Sequence, residues 1–109
     1  MLEIPLQPVP NQTLSIQLDN NTHDISIRAC KTGQAQIMVF DIAINNVMVV
    51  QGQRATTDFP IIPYVYKYNG NFILITEDDD LPDWSKFQIS QYLIYASNAE
   101  IREFYASSS

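Results

Sequence analysis

One cysteine and one histidine stand among the 109 residues, so neither an internal disulfide nor a Cys/His zinc set can be assembled within the chain. Glycine is nearly as scarce, at three residues. That is too few for a phosphate-cradling loop, and no Walker-type or dinucleotide fingerprint occurs. Basic side chains are outnumbered: six Lys and Arg against twelve Asp and Glu give a formal charge of −6. This balance weighs against nonspecific binding to nucleic acid or to an anionic membrane surface, since both reward clustered cations. There is no long apolar run. The most apolar stretch, Ile37 to Val50, is broken by Asp41, Asn45 and Asn46 and is shorter than the ~20 residues of a spanning helix. The opening Met1-Leu2-Glu3-Ile4-Pro5 has neither a basic nor an apolar signal region, so no secretory signal is expected. What remains is 46% hydrophobic and 17% charged, enough apolar material for one packed domain over 1–109.

The pattern inside that domain is period-two alternation punctuated by turn residues, the mark of half-buried antiparallel strands. An arm over 1–12, marked by Pro5, Pro8 and Pro10, precedes Leu14, Ile16 and Leu18. After Asp19-Asn20-Asn21-Thr22 the alternation returns through Ile25, Ile27 and Ala29, which predicts a first hairpin with one wet face. Met38, Phe40, Ile42 and Ile44 share one face of the next strand. Asn45-Asn46 then suits a type I′ turn into Val47–Val50. Apolar residues on both faces of this pair predict that it is covered twice, in a sandwich centre or beneath a neighbouring subunit.

Asn69-Gly70 predicts a third hairpin, joining Tyr64–Tyr68 to Phe72–Thr76, with Pro60 and Pro63 bracketing an edge or loop at Ile61-Ile62. Phe87, Ile89 and Tyr92–Tyr95 predict a last strand with a bulge, and the Ser97/Glu100 spacing predicts a short capped terminal helix. Ser107–Ser109 is expected to fray. The fold class is therefore all-β, an antiparallel sandwich or partly closed small barrel of about six to eight strands with a short C-terminal helix.

Few residues invite chemistry. Glu77-Asp78-Asp79-Asp80 with Asp83 gathers oxygen ligands but lacks the glycine and distal glutamate of an EF-hand; a solvated loop or a docking patch for cationic partner residues fits better. His23-Asp24 is not a catalytic pair, because neighbours in a strand point to opposite faces, and no nucleophile elbow is present; a surface histidine beside a turn is expected. Cys30 beside Lys31 reads as a half-buried thiol. Asp41, set in an apolar strand, is expected to pair with Arg28 or Arg54 or to face a neighbouring chain. Tyr64, Tyr66 and Tyr68 alternate and so share one strand face, with Trp84, Phe87, Tyr92 and Tyr95 following. Such rings suit wet protein–protein interfaces.

Pro60-Ile61-Ile62-Pro63-Tyr64, Asn69-Gly70-Asn71-Phe72 and Asp78-Asp79-Asp80-Leu81-Pro82-Asp83 form a recognisable series with Glu3-Ile4-Pro5-Leu6 and Phe87-x-x-Ser90-Gln91-Tyr92-Leu93-Ile94-Tyr95-Ala96. Over Glu3 to about Ala96 the chain resembles the small baseplate plug-like proteins of cyanophages and other contractile-tailed phages. The resemblance implies a virion structural component of the tail baseplate core near the tube–spike junction, assembled in the host cytoplasm, with no cofactor and no reaction. Its implied partners are other baseplate and tail-tube or spike proteins, and several copies of itself around the tail axis.

The interface candidates are Tyr64, Tyr66, Tyr68, Ile61, Ile62 and Trp84 as apolar anchors, with Asp78, Asp79 and Asp80 supplying charge complementarity. One rival reading is a carbohydrate- or cell-surface-binding module using the aromatic stripe. Another is a metal-dependent hydrolase using the Asp78–Asp83 carboxylates.

Overall fold

The computed structural model describes residues 1–32, 35–56, 59–63, 70–77 and 81–107. The seven strands among them are β1 (Leu2–Ile4), β2 (Asn11–Leu18), β3 (Asn21–Thr32), β4 (Ala35–Ile44), β5 (Val47–Arg54), β6 (Gly70–Thr76) and β7 (Gln91–Ser97). A helix, α1 (Asn98–Ser107), follows. They form two antiparallel sheets, a four-stranded meander β2-β3-β4-β5 and a three-stranded sheet β1-β7-β6. The all-β sandwich expected from the alternation is the observed architecture.

The two asparagine-rich turns form as their residue types dictate. Leu18 pairs with Asn21 and Ile44 with Val47, leaving two-residue connections. Their residues hold positive φ, at 53° and 65° for Asp19 and Asn20 and 51° and 68° for Asn45 and Asn46, the conformation that Asn and Asp tolerate best after Gly. The turns lie side by side: Asn45 donates from Nδ2 to Asn21 Oδ1 at 2.8 Å and accepts the Thr22 N–H at 2.9 Å.

The core lies between the sheets. Ile25, Ile27, Met38, Phe40 and Ile42 of the large sheet meet Phe72, Leu74, Leu93 and Tyr95 of the small one, with Ile61, Ile62 and Phe87 brought in from the connections. Each such buried side chain contributes about 1.5–3 kcal/mol of transfer free energy.

Within the single chain the pair covered on both faces is β6–β7, while β4–β5 packs one face on the sandwich core. Ile73 and Ala96, on the face away from the sandwich core, pack with Ile101 of α1, and Ile75 and Ile94 join them. The outer face of β4 is shielded differently. Val39 sits in register between Arg28 and Arg54, whose long stems flank it. Ile37 and Ala43 on that face are half-buried.

The opening segment is not a free arm. Leu2, Glu3 and Ile4 pair with β7, and Ile4 and Leu6 are buried. At the other end, α1 starts on the expected capping box: the Ser97 N–H reaches Glu100 Oε1 at 3.0 Å and the Glu100 N–H reaches Ser97 Oγ at 3.2 Å. Glu100 also accepts a bond from the Met1 ammonium. With that bond first and the Ser97 N–H second, its carboxyl is held down to about 2. The helix reaches Ser107, one residue into the tail expected to fray.

Candidate assembly surface

The residues expected at an interface fall into three groups. Ile61 and Ile62 are 2% and 1% exposed and belong to the chain's own core, so they offer no anchor to a partner. The reason is local: Pro60 bridges Ile73 and the Ile61 N–H bonds the Phe72 carbonyl at 2.8 Å, so the segment lies along β6 as a substitute strand and turns its apolar pair inward. Trp84 is half-buried against the core on a single 3₁₀ turn, Trp84–Lys86. Tyr64, Tyr66, Tyr68, Asp78, Asp79 and Asp80 lie outside the described residues, as does the first strand of the third expected hairpin.

Asn69, and with it the turn expected at Asn69-Gly70, lies outside the described residues, whereas Gly70 is described. Gly70 is the first residue of β6, paired with Ser97, and its φ is not in the left-handed region. A Cβ there would stand 2.6 Å from the Ala96 carbonyl oxygen and 2.6 Å from the Tyr95 ring and hydroxyl. The glycine makes room for a phenol and a backbone carbonyl.

Tyr95 in turn joins the two sheets. Its hydroxyl donates to Asp19 Oδ2 at 2.8 Å, and its ring meets His23 and Phe72 at centroid distances of 5.5 and 5.2 Å. Burial first, then the bond to Asp19 and that residue's charge, push the phenol pKa well above its ordinary value.

His23 is therefore not a surface residue. It is 3% exposed, with its ring edge-on to Phe72 at 5.7 Å and Nδ1 3.2 Å from the Asn21 carbonyl. Burial lowers its pKa, against smaller opposing contributions from the Asn21 carbonyl, Asp19 and Asp24. Asp24 points to the other face, as strand geometry requires, and accepts a bond from Ser15. His23 and Asp24 are thus no catalytic pair.

Asp41 has a structural explanation. Its Oδ1 accepts the Gly52 N–H at 2.6 Å, and its carboxylate pairs with Arg28 at 3.2 Å. Gly52 has φ 68°, and the β4–β5 register shifts beside it, so the carboxylate caps a β-bulge. Of the partners expected for Asp41, the structure selects Arg28.

Two of the exposed large apolar side chains among the described residues stand on the β6–β7 connection. Leu81 and Ile89 are 71% and 68% exposed, yet the loop that carries them is firmly held. Gln91, fully buried at the start of β7, accepts the Asp83 N–H at 2.8 Å and donates to the Leu81 carbonyl at 2.8 Å. Asp83 caps the 3₁₀ turn by accepting the Ser85 N–H at 3.0 Å, and Tyr92 donates its hydroxyl to the Ile89 carbonyl at 2.7 Å. Gln88, at φ 66°, turns the chain where alternation alone suggested a bulged strand. A second apolar patch, Val47 and Met48, stands at the β4–β5 turn, 67% and 54% exposed. Sequence reasoning missed Gln91 and Asn71, because a buried amide carries no periodic signal.

Among the described residues no group of three His, Cys, Asp or Glu side chains is placed to hold a metal, and no helix is long and apolar enough to cross a membrane. The arrangement is that of a β-sandwich that displays Leu81 and Ile89 on a hydrogen-bonded loop. The family is equally definite. The family model described as cyanophage baseplate Pam3 plug gp18 matches residues 1–99 of the 109, and the chain belongs to that family of phage baseplate proteins. No curated protein matches the chain.

Proposed function

We propose that this chain is a non-enzymatic plug subunit of the baseplate core, seated near the junction of tail tube and central spike in several copies around the tail axis. Its neighbours are other baseplate, tube or spike proteins, and it acts through interface burial alone. Specific stable contacts of this kind hide ~1,200–2,000 Å² in total.

The observation that carries the reading is the display of Leu81 and Ile89 on a loop clamped by Gln91, within the span matched by the baseplate plug family. Exposed apolar side chains on a pre-ordered loop bind without an ordering cost, which suits an assembly contact. Trp84 stands on the same loop as a half-buried anchor. Tyr64, Tyr66 and Tyr68 are proposed as further anchors, and Asp78, Asp79 and Asp80 as the charged rim that sets register and encounter rate.

The test is the composition of purified particles. The chain is expected there at a fixed copy number, and Leu81→Asp with Ile89→Asp is expected to remain folded yet be lost from the particles. A chain found only in the infected-cell lysate and never in particles defeats the proposal.

A further inference from the structure

The four edge strands of the two sheets are not equally protected. Unpaired backbone groups along a sheet edge invite another strand, and monomeric proteins blunt such edges with charges, prolines, bulges or cover. β5 carries Arg54 and two register irregularities, one at the Gly52 bulge. β1 is three residues long and contains Glu3. β6 has the Pro60–Ile62 segment along it. Among the described residues β2 has none of these devices. Its eight residues, Asn-Gln-Thr-Leu-Ser-Ile-Gln-Leu, include no charge, proline or glycine, and its register with β3 runs unbroken from Asn11 to Leu18.

The backbone groups on that edge can be assigned. A two-residue turn is closed by a hydrogen-bonded pair, here Leu18 with Asn21. Alternation then makes Ile16:His23, Leu14:Ile25 and Gln12:Ile27 the bonded pairs. The bond from the Ala29 N–H to the Pro10 carbonyl, at 2.9 Å, continues the series. The N–H and C=O groups of Thr13, Ser15 and Gln17 therefore point away from β3, toward the open edge.

We infer that β2 is a self-complementary docking edge, on which β2 of a second copy of this chain adds antiparallel, about a two-fold axis through Ser15, to make one continuous eight-stranded sheet. That axis, perpendicular to the sheet, sets Ser15 opposite Ser15 of the partner subunit and Thr13 opposite Gln17 of the partner subunit. Every outward N–H and C=O of these residues then finds a partner, two bonds to a pair. The same register sets Leu14 against Ile16 of the partner subunit on the core-facing side, where both residues are only half-buried in the single chain. From Gln12 to Leu18 the facing pairs are neutral, so a chain of net charge −6 meets its copy along an uncharged strand. The symmetry is isologous, the commonest route to a dimer. The inference rests on the multi-copy reading of the proposed function and assigns β2 to a contact that joins copies in pairs, since an isologous edge is used up once paired.

Sedimentation analysis of the isolated full chain tests it without reference to particles. The expected result is a reversible dimer. Thr13→Lys with Gln17→Lys sets like charges across the axis and weakens dimerisation by about tenfold or more, while Thr13→Glu with Gln17→Lys sets opposite charges there and restores it. Thr13 and Gln17 lie opposite the neutral Ser26 and Thr22 on β3, with Asp24 diagonal to both, so circular dichroism and the melting temperature check that each variant folds as the wild type does. A wild-type chain monomeric at ~100 μM, or a dimer that ignores both variants, overturns the β2 edge. Higher rings in which the charge-swapped variant fails to reassociate overturn the two-fold register. In each of these cases incorporation into particles is still read separately, so failure of this contact is distinguishable from failure of the assembly role.

Discussion

Asn71 closes a ring of hydrogen bonds on Ile62. Its Oδ1 accepts the Ile62 N–H and its Nδ2 donates to the Ile62 carbonyl, both at 2.9 Å, and Oδ1 also takes the Phe72 N–H at 2.8 Å. With Asn71 1% exposed, the side-chain amide takes the place of a strand partner for Ile62, next to the Ile61–Phe72 backbone bond. Asn71→Ala strands two buried backbone groups of Ile62. It is expected to cost about 2–4 kcal/mol in urea unfolding; a loss below about 1 kcal/mol would mean the loop is held by burial of Ile61 and Ile62 alone.

Gln91 repeats the device on the β6–β7 connection. Gln91→Ala removes the bonds to Asp83 and Leu81 and should cost about 2 kcal/mol. The informative readout is hydrogen exchange: the Asp83 amide is expected to lose protection while amides of β3 and β4 keep theirs. Uniform loss across the domain would contradict a local clamp.

His23 gives the stability a defined pH dependence. Its folded-state pKa is lowered from 6.5, chiefly by burial, so between the two values the unfolded chain binds more protons than the folded one. The stability held by the neutral ring is full above about pH 6.5 and is lost as pH falls from there, flattening below the folded pKa. Thermal melts from pH 7.5 to 5 should show this slope, and His23→Gln should remove it. A slope retained in the variant assigns the effect to other groups.

Gly52 and Gly70 separate two reasons for glycine. At Gly52 only φ is unusual, and an added Cβ meets nothing within 4 Å, so Gly52→Asn should cost under about 1 kcal/mol. At Gly70 space is the constraint. Gly70→Ala should cost about 2 kcal/mol or more, and Gly70→Asn at least as much, because a backbone carbonyl and a Tyr95 ring pinned by Asp19 cannot both move aside. Equal melting temperatures for Gly52→Asn and Gly70→Asn would refute the distinction.

Much of the fold was legible residue by residue. Leu14, Ile16 and Leu18 against Ile25 and Ile27 announced the first hairpin, Asn45-Asn46 its neighbour, and Ser97 with Glu100 the helix start, because each signal is contained within a few bonds of chain. The assembly surface was less legible. The two isoleucines between Pro60 and Pro63 look like an exposed apolar pair until Asn71, nine residues later, is seen to hold them against β6. Exposed Leu81 and Ile89 gain significance only once Gln91 is known to fix the loop between them.

The sequence by itself determined the strands β2 to β5, the hairpin registers at Asp19-Asn20 and Asn45-Asn46, and an uncharged β2, since alternation, left-handed backbone preference and charge are local properties. Tertiary structure decided which face each layer covers. It placed α1 over Ile73 and Ala96, sank His23 between Phe72 and Tyr95, and set Gly70 against the phenol of Tyr95. The physical reason is that a period of two separates the faces of a strand without saying what will pack on either. Burial and close approach are set by residues far apart in the chain, and only the packed sheets bring those residues together.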